Sequence, residues 1–189
     1  RILLFIGLAV FWAAAYLGTG AWNAGRASGV LAWDPVWSFP FASAFVAPYL
    51  SAYLLPFAAF AALRERRKFR RFAAVVAGTI AFSAAVFVLW PLTIARPDLG
   101  FGSFSDHLLA ALYAADRPTN LFPSLHVSLS FLFALAVGDA RPRLRPWALA
   151  WAALIAVSTL LTRQHYLVDV VGGVIVARAG WRVYLGKRR

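Results

Sequence analysis

Six long apolar stretches constrain the fold of this chain more than any other feature. They cover approximately residues 2–19, 41–63, 72–90, 121–138, 147–161 and 167–185. Most of them reach the roughly 17–25 residues that a helix needs to cross a bilayer, and the fifth is shorter. Because backbone polar groups inside hydrocarbon must be satisfied internally, these stretches are expected to be helical. The sequence predicts an all-α, polytopic membrane bundle with six transmembrane helices, forming a single domain over residues 1–189.

The composition excludes an ordinary soluble domain. Hydrophobic residues make up 62% of the chain and charged residues 14%, whereas soluble domains carry roughly 25% charged residues. The mean hydropathy is +0.71. The chain has no cysteine, so neither a disulfide framework nor a thiolate metal site or nucleophile is available. We expect an integral membrane protein whose chemistry requires no metal and no other cofactor.

The positive charges are distributed asymmetrically. If the six stretches cross the membrane, both termini and the connections 64–71 and 139–146 share one side. All but four of the 19 lysines and arginines then lie on that side. The positive-inside rule predicts that both termini are cytoplasmic. The net charge of +12 is then explained by topology and by contacts with anionic membrane lipids, and nucleic-acid binding is not expected. The sequence does not indicate an oligomeric state.

Asp169 is unusual because no other acidic residue falls inside an apolar stretch. The remaining acidic residues are predicted to lie in polar connections: Asp34, Glu65, Asp98, Asp106, Asp116 and Asp139. An ionisable group at membrane depth is costly and therefore suggests a functional site. His165 precedes Asp169 by one helical turn, so the two side chains are expected on one helix face.

Three polar clusters are predicted on the non-cytoplasmic side. They are Arg96-Pro97, Pro123-Ser124-Leu125-His126, and the segment 163–169 that contains His165 and Asp169. Each lies at the end of an apolar stretch. We therefore predict that they converge in one active site near the outer lipid headgroups.

The residue types in these clusters suit phosphoryl transfer. His165, oriented by Asp169, can act as a nucleophile, and His126 can act as its acid–base partner. The guanidinium groups of Arg96 and Arg163 match phosphate oxygens. Two catalytic imidazoles and a carboxylate together favour a phosphohistidine intermediate.

The second cluster predicts an anion site at the start of a helix. Pro123 suits the first turn, where its missing N–H costs nothing, and Asn120 or Thr119 can cap that start. Backbone N–H groups around Ser124 would then face a bound phosphate.

Other interpretations are open at this point. A lone His-x3-Asp pair is more often a structural hydrogen bond, and His107 is expected to be a loop histidine. A transporter of anionic lipids would use the same arginines and histidines without chemistry, although no internal repeat supports it. A scaffold protein is the third class.

The combination of Pro123-Ser124-Leu125-His126 with His165-x3-Asp169 in a six-span chain resembles the type 2 phosphatidic acid phosphatase superfamily. The resemblance implies that His165 attacks phosphorus, that Asp169 supports it, and that His126 protonates the leaving alcohol. It also implies that Ser124 and Arg96 hold the phosphate. We expect a lipid phosphatase in a bacterial cell membrane, with its site on the periplasmic face and a lipid phosphate as substrate.

Several positions depart from the phosphatase pattern. Leu89 stands where that pattern has a lysine, Leu125 replaces a glycine, and Thr159 occupies an arginine position that Arg163 is expected to replace. These changes resemble the branch containing inositol phosphorylceramide synthases and sphingomyelin synthases. That branch implies the alternative of transferring a phosphate or phospho-headgroup to a lipid alcohol.

Overall fold

The computed structural model describes residues 1–26 and 29–186. Within these ranges the regular secondary structure is helical. The β-pairing there is limited to an isolated bridge between Gly29 and Leu92. The α-helices are α1 (Ile2–Asn23), α2 (Val46–Ser51), α3 (Leu55–Ala62), α4 (Arg66–Leu89), α5 (Phe104–Ala115), α6 (Leu125–Ala140), α7 (Arg145–Leu161) and α8 (Leu167–Gly186). The predicted all-α class is confirmed.

Four helical stretches in the described ranges are long and apolar enough to cross a membrane. They are Ile2–Asn23, Ser43–Ala62, Arg66–Leu89 and Pro142–Leu161. Helix α6 is apolar but shorter. Helix α8 carries Asp169, Arg178 and Arg182 and is not among the four. Six crossings and cytoplasmic termini therefore stay predictions.

Two segments differ from the predicted pattern, the second apolar stretch and the loop that follows the third. The second apolar stretch is not one regular helix, because short 3-10 turns at Ser43–Phe45 and Ala52–Leu54 flank α2. Pro48 and Pro56 remove backbone donors in this region. The predicted loop 91–120 contains helix α5, which begins with a capping box between Ser103 and Asp106.

The long helices alternate in direction. Helices α1 and α4 run parallel, since the Arg1 guanidinium lies 5.3 Å from the Phe69 ring centroid and Asn23 Nδ2 donates to Phe87 O at 2.9 Å. Helix α8 runs antiparallel to α4, because the Tyr184 ring packs 5.8 Å from the Phe72 ring. Helix α6 contacts α3, α4, α7 and α8 and lies at the centre of the bundle. The starts of α6 and α8 therefore lie at the end of the bundle where α1 and α4 finish.

The first turns of α6 and α8 approach each other closely. A Cβ atom placed on Gly173 would lie 2.8 Å from Ser124 O and 3.0 Å from Val127 Cβ. On the preceding residue, Gly172, it would lie 2.6 Å from the Phe122 ring. Two adjacent glycines thus permit the contact that brings two of the predicted clusters together.

Replacing Gly173 with alanine tests this contact. The added methyl group forces the backbone at Ser124 to move, and we expect the free energy of unfolding to fall by about 1–3 kcal/mol. The matched control is Gly78→Ala in α4, where an added Cβ meets no atom within 4 Å and alanine favours the helix by roughly 0.5–1 kcal/mol. Thermal unfolding in detergent measures both. A Gly173→Ala protein as stable as the Gly78→Ala protein would contradict the packing described here.

Candidate active site

His165 and Asp169 are in contact at the start of α8. The predicted shared helix face was wrong, because His165 precedes α8 and only Asp169 lies on it. His165 Nδ1 lies 3.4 Å from Asp169 Oδ2, a long hydrogen bond, and the Tyr166 N–H donates to the same oxygen at 2.8 Å. The Asp169 side chain is fully buried, and its Oδ1 has no hydrogen-bond partner among the described residues. Because Nδ1 faces the carboxylate, Nε2 is the ring nitrogen left to meet a substrate.

Asp34 caps the same helix from outside. Its Oδ1 accepts a hydrogen bond from Leu167 N at 3.0 Å, and its Oδ2 accepts one from Val168 N at 3.1 Å. It also caps the 3-10 turn that follows it, by accepting from Val36 N. Asp34 lies in a connection between helices, as predicted, but its side chain is buried there, with 2% exposure. A carboxylate at a helix N-terminus binds unpaired N–H groups and interacts favourably with the helix dipole.

Ser124, not Asn120 or Thr119, caps helix α6. Its Oγ accepts from Val127 N at 3.2 Å, and its own N–H donates to Asp169 O at 3.0 Å. The predicted helix start was therefore wrong, and Pro123 precedes the cap instead of occupying the first turn. The physical reason is that a serine hydroxyl is itself a good acceptor for the third N–H of the helix.

His126 is held by side-chain and backbone groups of the irregular second apolar stretch, residues 41–63. One ring nitrogen, Nε2, lies 3.0 Å from Tyr49 O, and the two rings stack with centroids 4.1 Å apart. The Tyr53 ring meets the same imidazole edge-on at 5.7 Å. Since a carbonyl oxygen only accepts hydrogen bonds, Nε2 carries the proton in this arrangement. The other nitrogen, Nδ1, is left to exchange a proton with a substrate.

Both histidines line one cavity of about 270 Å³. At the end of the cavity where the histidines lie, the polar lining includes Tyr16, Tyr49 and Asn120. Away from the histidines the wall is mostly apolar and is formed by α1, α3, α4 and α6. Representative residues of that wall are Phe5, Trp12, Phe57, Phe60, Phe69 and Ile80. Of the eight predicted site residues, Asn120, His126 and His165 line this cavity directly.

Arg96 reaches this end of the bundle through Gln164, the neighbour of His165. Its Nη2 donates to Gln164 Oε1 at 2.8 Å, and its Nη1 donates to the carbonyls of Tyr113 and Asp116 at 2.9 and 2.6 Å. Burial lowers the pKa of Arg96 from its usual value. Arg96 Nε and Gln164 Nε2 are buried and have no hydrogen-bond partner among the described residues. Buried donors normally have partners, so these two N–H groups suit an anion.

Sequence reasoning missed the pair formed by Asp116 and Tyr16. The Tyr16 hydroxyl lies 2.9 and 3.1 Å from the two oxygens of the Asp116 carboxylate. Burial raises the pKa of Asp116, while the Tyr16 hydrogen bond and the charges of Arg96 and His165 oppose that rise. Tyr16 lines the cavity with both histidines. No local pattern connects residues that are so far apart in the chain.

Arg163 does not point into this cavity. Its guanidinium donates to Phe39 O at 2.6 Å, and the residue is 8% exposed. Burial lowers its pKa. The side chain thereby ties the α7–α8 connection to residue 39, and a role in phosphate binding stays a prediction.

Two of the three positions that depart from the phosphatase pattern, Leu125 and Thr159, have structural roles. Leu89 is 82% exposed, and Leu125 belongs to the buried core. The Thr159 hydroxyl donates to Ala156 O, and its carbonyl accepts from the N–H groups of Gln164 and His165. Thr159 therefore supports the backbone of the site without offering its hydroxyl to a ligand.

Removing the Asp34 carboxylate tests its capping role. We expect Asp34→Ala to lower the free energy of unfolding by about 0.5–2 kcal/mol, the usual cost of losing an N-cap. Any catalytic activity that depends on His165 should fall as well, because the first turn of α8 positions that residue. Asp98→Ala, at an exposed position in the 91–103 connection, is the control. Equal stability and activity in the two variants would show that Asp34 does not position α8.

Comparison with known proteins identifies the family. The PAP2 superfamily profile matches residues 21–183. An uncharacterized protein of Methanocaldococcus jannaschii is 46% identical over 59 residues, which are 31% of this chain and 24% of that protein. No solved structure matches the chain significantly. The matched segment spans about a quarter of the length of this curated relative. Because the profile covers most of the sequence, this chain belongs to the PAP2 superfamily.

Proposed function

We propose that this protein is an integral membrane lipid phosphatase that hydrolyses a lipid phosphate ester through a phosphohistidine at His165. One observation carries the proposal: His126 and His165 line the polar end of a cavity whose remaining wall is mostly apolar. Such a cavity is complementary to an amphiphile with its phosphate at the histidines and its hydrocarbon part among the helices. Membrane lipids and the lipid phosphate itself are the expected partners.

Donors close in the chain or by contact to the segments that carry the two histidines support phosphate binding, although their residues do not line the cavity. Arg96 Nε and Gln164 Nε2 offer buried N–H groups without protein partners in the described ranges. The hydroxyl of Ser124 accepts from Val127 N and keeps its own proton for donation. Preorganised donors of this kind stabilise the charge of a transferring phosphoryl group and supply most of the acceleration in such reactions. In this proposal Arg163, Asn120 and Pro123 shape the surroundings of the phosphate.

The reaction has two steps. In the first, His165 Nε2 forms a bond to phosphorus while the bond from phosphorus to the alcohol oxygen breaks. His126 enters this step protonated at both ring nitrogens, gives the Nδ1 proton to that oxygen and keeps the Nε2 proton on Tyr49 O, and the alcohol departs. In the second, His126 accepts a proton from water, whose oxygen bonds to phosphorus and displaces His165. Asp169 keeps Nδ1 of His165 protonated and stabilises the positive charge on the imidazole between the steps.

Transfer to a lipid alcohol is the second candidate. A lipid hydroxyl would replace water in the second step, with the same movement of protons. The exposed Leu89 and the internally bonded hydroxyl of Thr159 favour it, since neither side chain supplies the cation that the phosphatase pattern has there. In either case we place the site on the periplasmic face of a bacterial cell membrane.

Replacing His165 tests the proposal. We expect His165→Ala to lower phosphate release by at least about a thousandfold, because no other group can take over the attack on phosphorus. His107→Ala is the matched control, since that histidine is exposed on α5 and bonds locally to Ser103 O. The assay uses a panel of lipid phosphates, with and without a lipid alcohol, and measures both free phosphate and new phospholipid.

The two readouts separate the candidates. Free phosphate that is unaffected by added alcohol supports the phosphatase, and new phospholipid formed in place of phosphate supports the transferase. Undiminished turnover by a folded His165→Ala protein would remove His165 from the mechanism.

A further inference from the structure

A cluster of aromatic rings lines the end of the cavity that is opposite to the two histidines. The Phe5 ring lies 5.3 Å from the Phe57 ring and 5.0 Å from the Phe60 ring. The Phe60 and Phe69 rings meet edge to face at 5.5 Å. All four line the cavity, and we call them the aromatic floor.

The depth of the cavity follows from the helices that form its wall. Tyr16, at the histidine end, and Phe5, in the aromatic floor, are eleven residues apart on α1. At 1.5 Å per residue this separation corresponds to about 17 Å. Ile80 and Phe69 on α4 show the same spacing. The hydrocarbon core of a bilayer is roughly 30 Å thick, and half of that thickness is the length of a chain in one leaflet. The depth of the cavity is close to this length.

The volume of the cavity limits how many chains it can hold. About 270 Å³ lies just below the roughly 300–1,000 Å³ of pockets for drug-sized ligands. A single hydrocarbon chain fits this space better than two chains. Its occupant would be continuous with the group at His165, because the histidines and the floor line the same cavity.

We propose that the aromatic floor sets the maximum length of the hydrocarbon chain in the substrate. The enzyme would then select phosphate esters that carry one hydrocarbon chain no longer than the cavity. This inference rests on the proposed function and names the chain as the occupant of the cavity. Hydrocarbon gains little by leaving lipid tails for an apolar cavity, since the two surroundings are equally apolar. Selection must therefore come from shape. A chain that is too long has to bend or displace a ring, and overpacking of this kind is costly.

Two substitutions move the floor in opposite directions. Ala73 lines the cavity one helical turn above Phe69 and is 3% exposed, so Ala73→Phe shortens the space for the chain. Phe5→Ala removes one ring of the floor and lengthens that space. The controls are Ala81→Phe and Phe82→Ala, which change exposed positions of α4 that do not line the cavity.

The test measures phosphate release from octyl, dodecyl, hexadecyl and eicosyl phosphate in the same detergent micelles. The readout is the ratio of kcat/KM for hexadecyl phosphate to that for octyl phosphate. One methylene in a hydrophobic pocket is worth roughly tenfold or more in discrimination. We therefore expect the ratio to fall at least about tenfold in Ala73→Phe. Phe5→Ala should extend turnover toward eicosyl phosphate, and both controls should keep the wild-type ratio.

The outcomes separate this inference from the proposed function. Thermal unfolding in detergent shows which variants fold. If Ala73→Phe does not fold, the chain-length profile of Phe5→Ala decides the test alone. Unchanged ratios in the folded variants, with phosphate release still dependent on His165, would place the chain outside the cavity and overturn the floor while leaving the phosphatase intact. Absence of His165-dependent release from every alkyl phosphate would overturn both.

Discussion

The site depends on the junction between the first turns of α6 and α8. There the Ser124 N–H donates to Asp169 O at 3.0 Å, and Gly173 leaves room for the Ser124 carbonyl. A single backbone hydrogen bond in a buried, closely packed place thus joins the helix that carries His126 to helix α8, which begins two residues after His165. The positions of both imidazoles follow from it, because each lies within one turn of this junction.

Two buried carboxylates organise the start of α8 from opposite sides. Asp34 binds the N–H groups of Leu167 and Val168 from outside the helix, and Asp169 binds the N–H of Tyr166 and the ring of His165 from within it. Burying a carboxylate is costly unless donors surround it, and the N–H groups bound here belong to Tyr166, Leu167 and Val168 at the start of α8. Asp169 Oδ1 has no hydrogen-bond partner among the described residues, so this carboxylate is not fully satisfied by them.

Hydropathy and spacing predicted the helical class and the contact between His165 and Asp169, because both are local properties of the sequence. Residues that meet across the bundle were not predictable in this way. Tyr49 against His126, Asp34 on α8 and Tyr16 on Asp116 join segments far apart in the chain. Local competition explains the incorrect cap of α6, since Ser124 and Asn120 are both good N-cap residues and only packing against α8 selects Ser124. Helix α5 was missed although its capping box, Ser103 with Asp106, is visible in the sequence.

Direct trapping of the covalent intermediate tests the central claim most sharply. In His126→Ala, radiolabelled nitrophenyl phosphate should phosphorylate the enzyme, because its leaving group needs no proton, and the second step should stall without a base. After alkaline denaturation, peptide mass spectrometry should locate the label on His165, and acid should release it. Label on another residue, or a wild-type enzyme that releases nitrophenolate without any labelled His165 in the variant, would contradict the account.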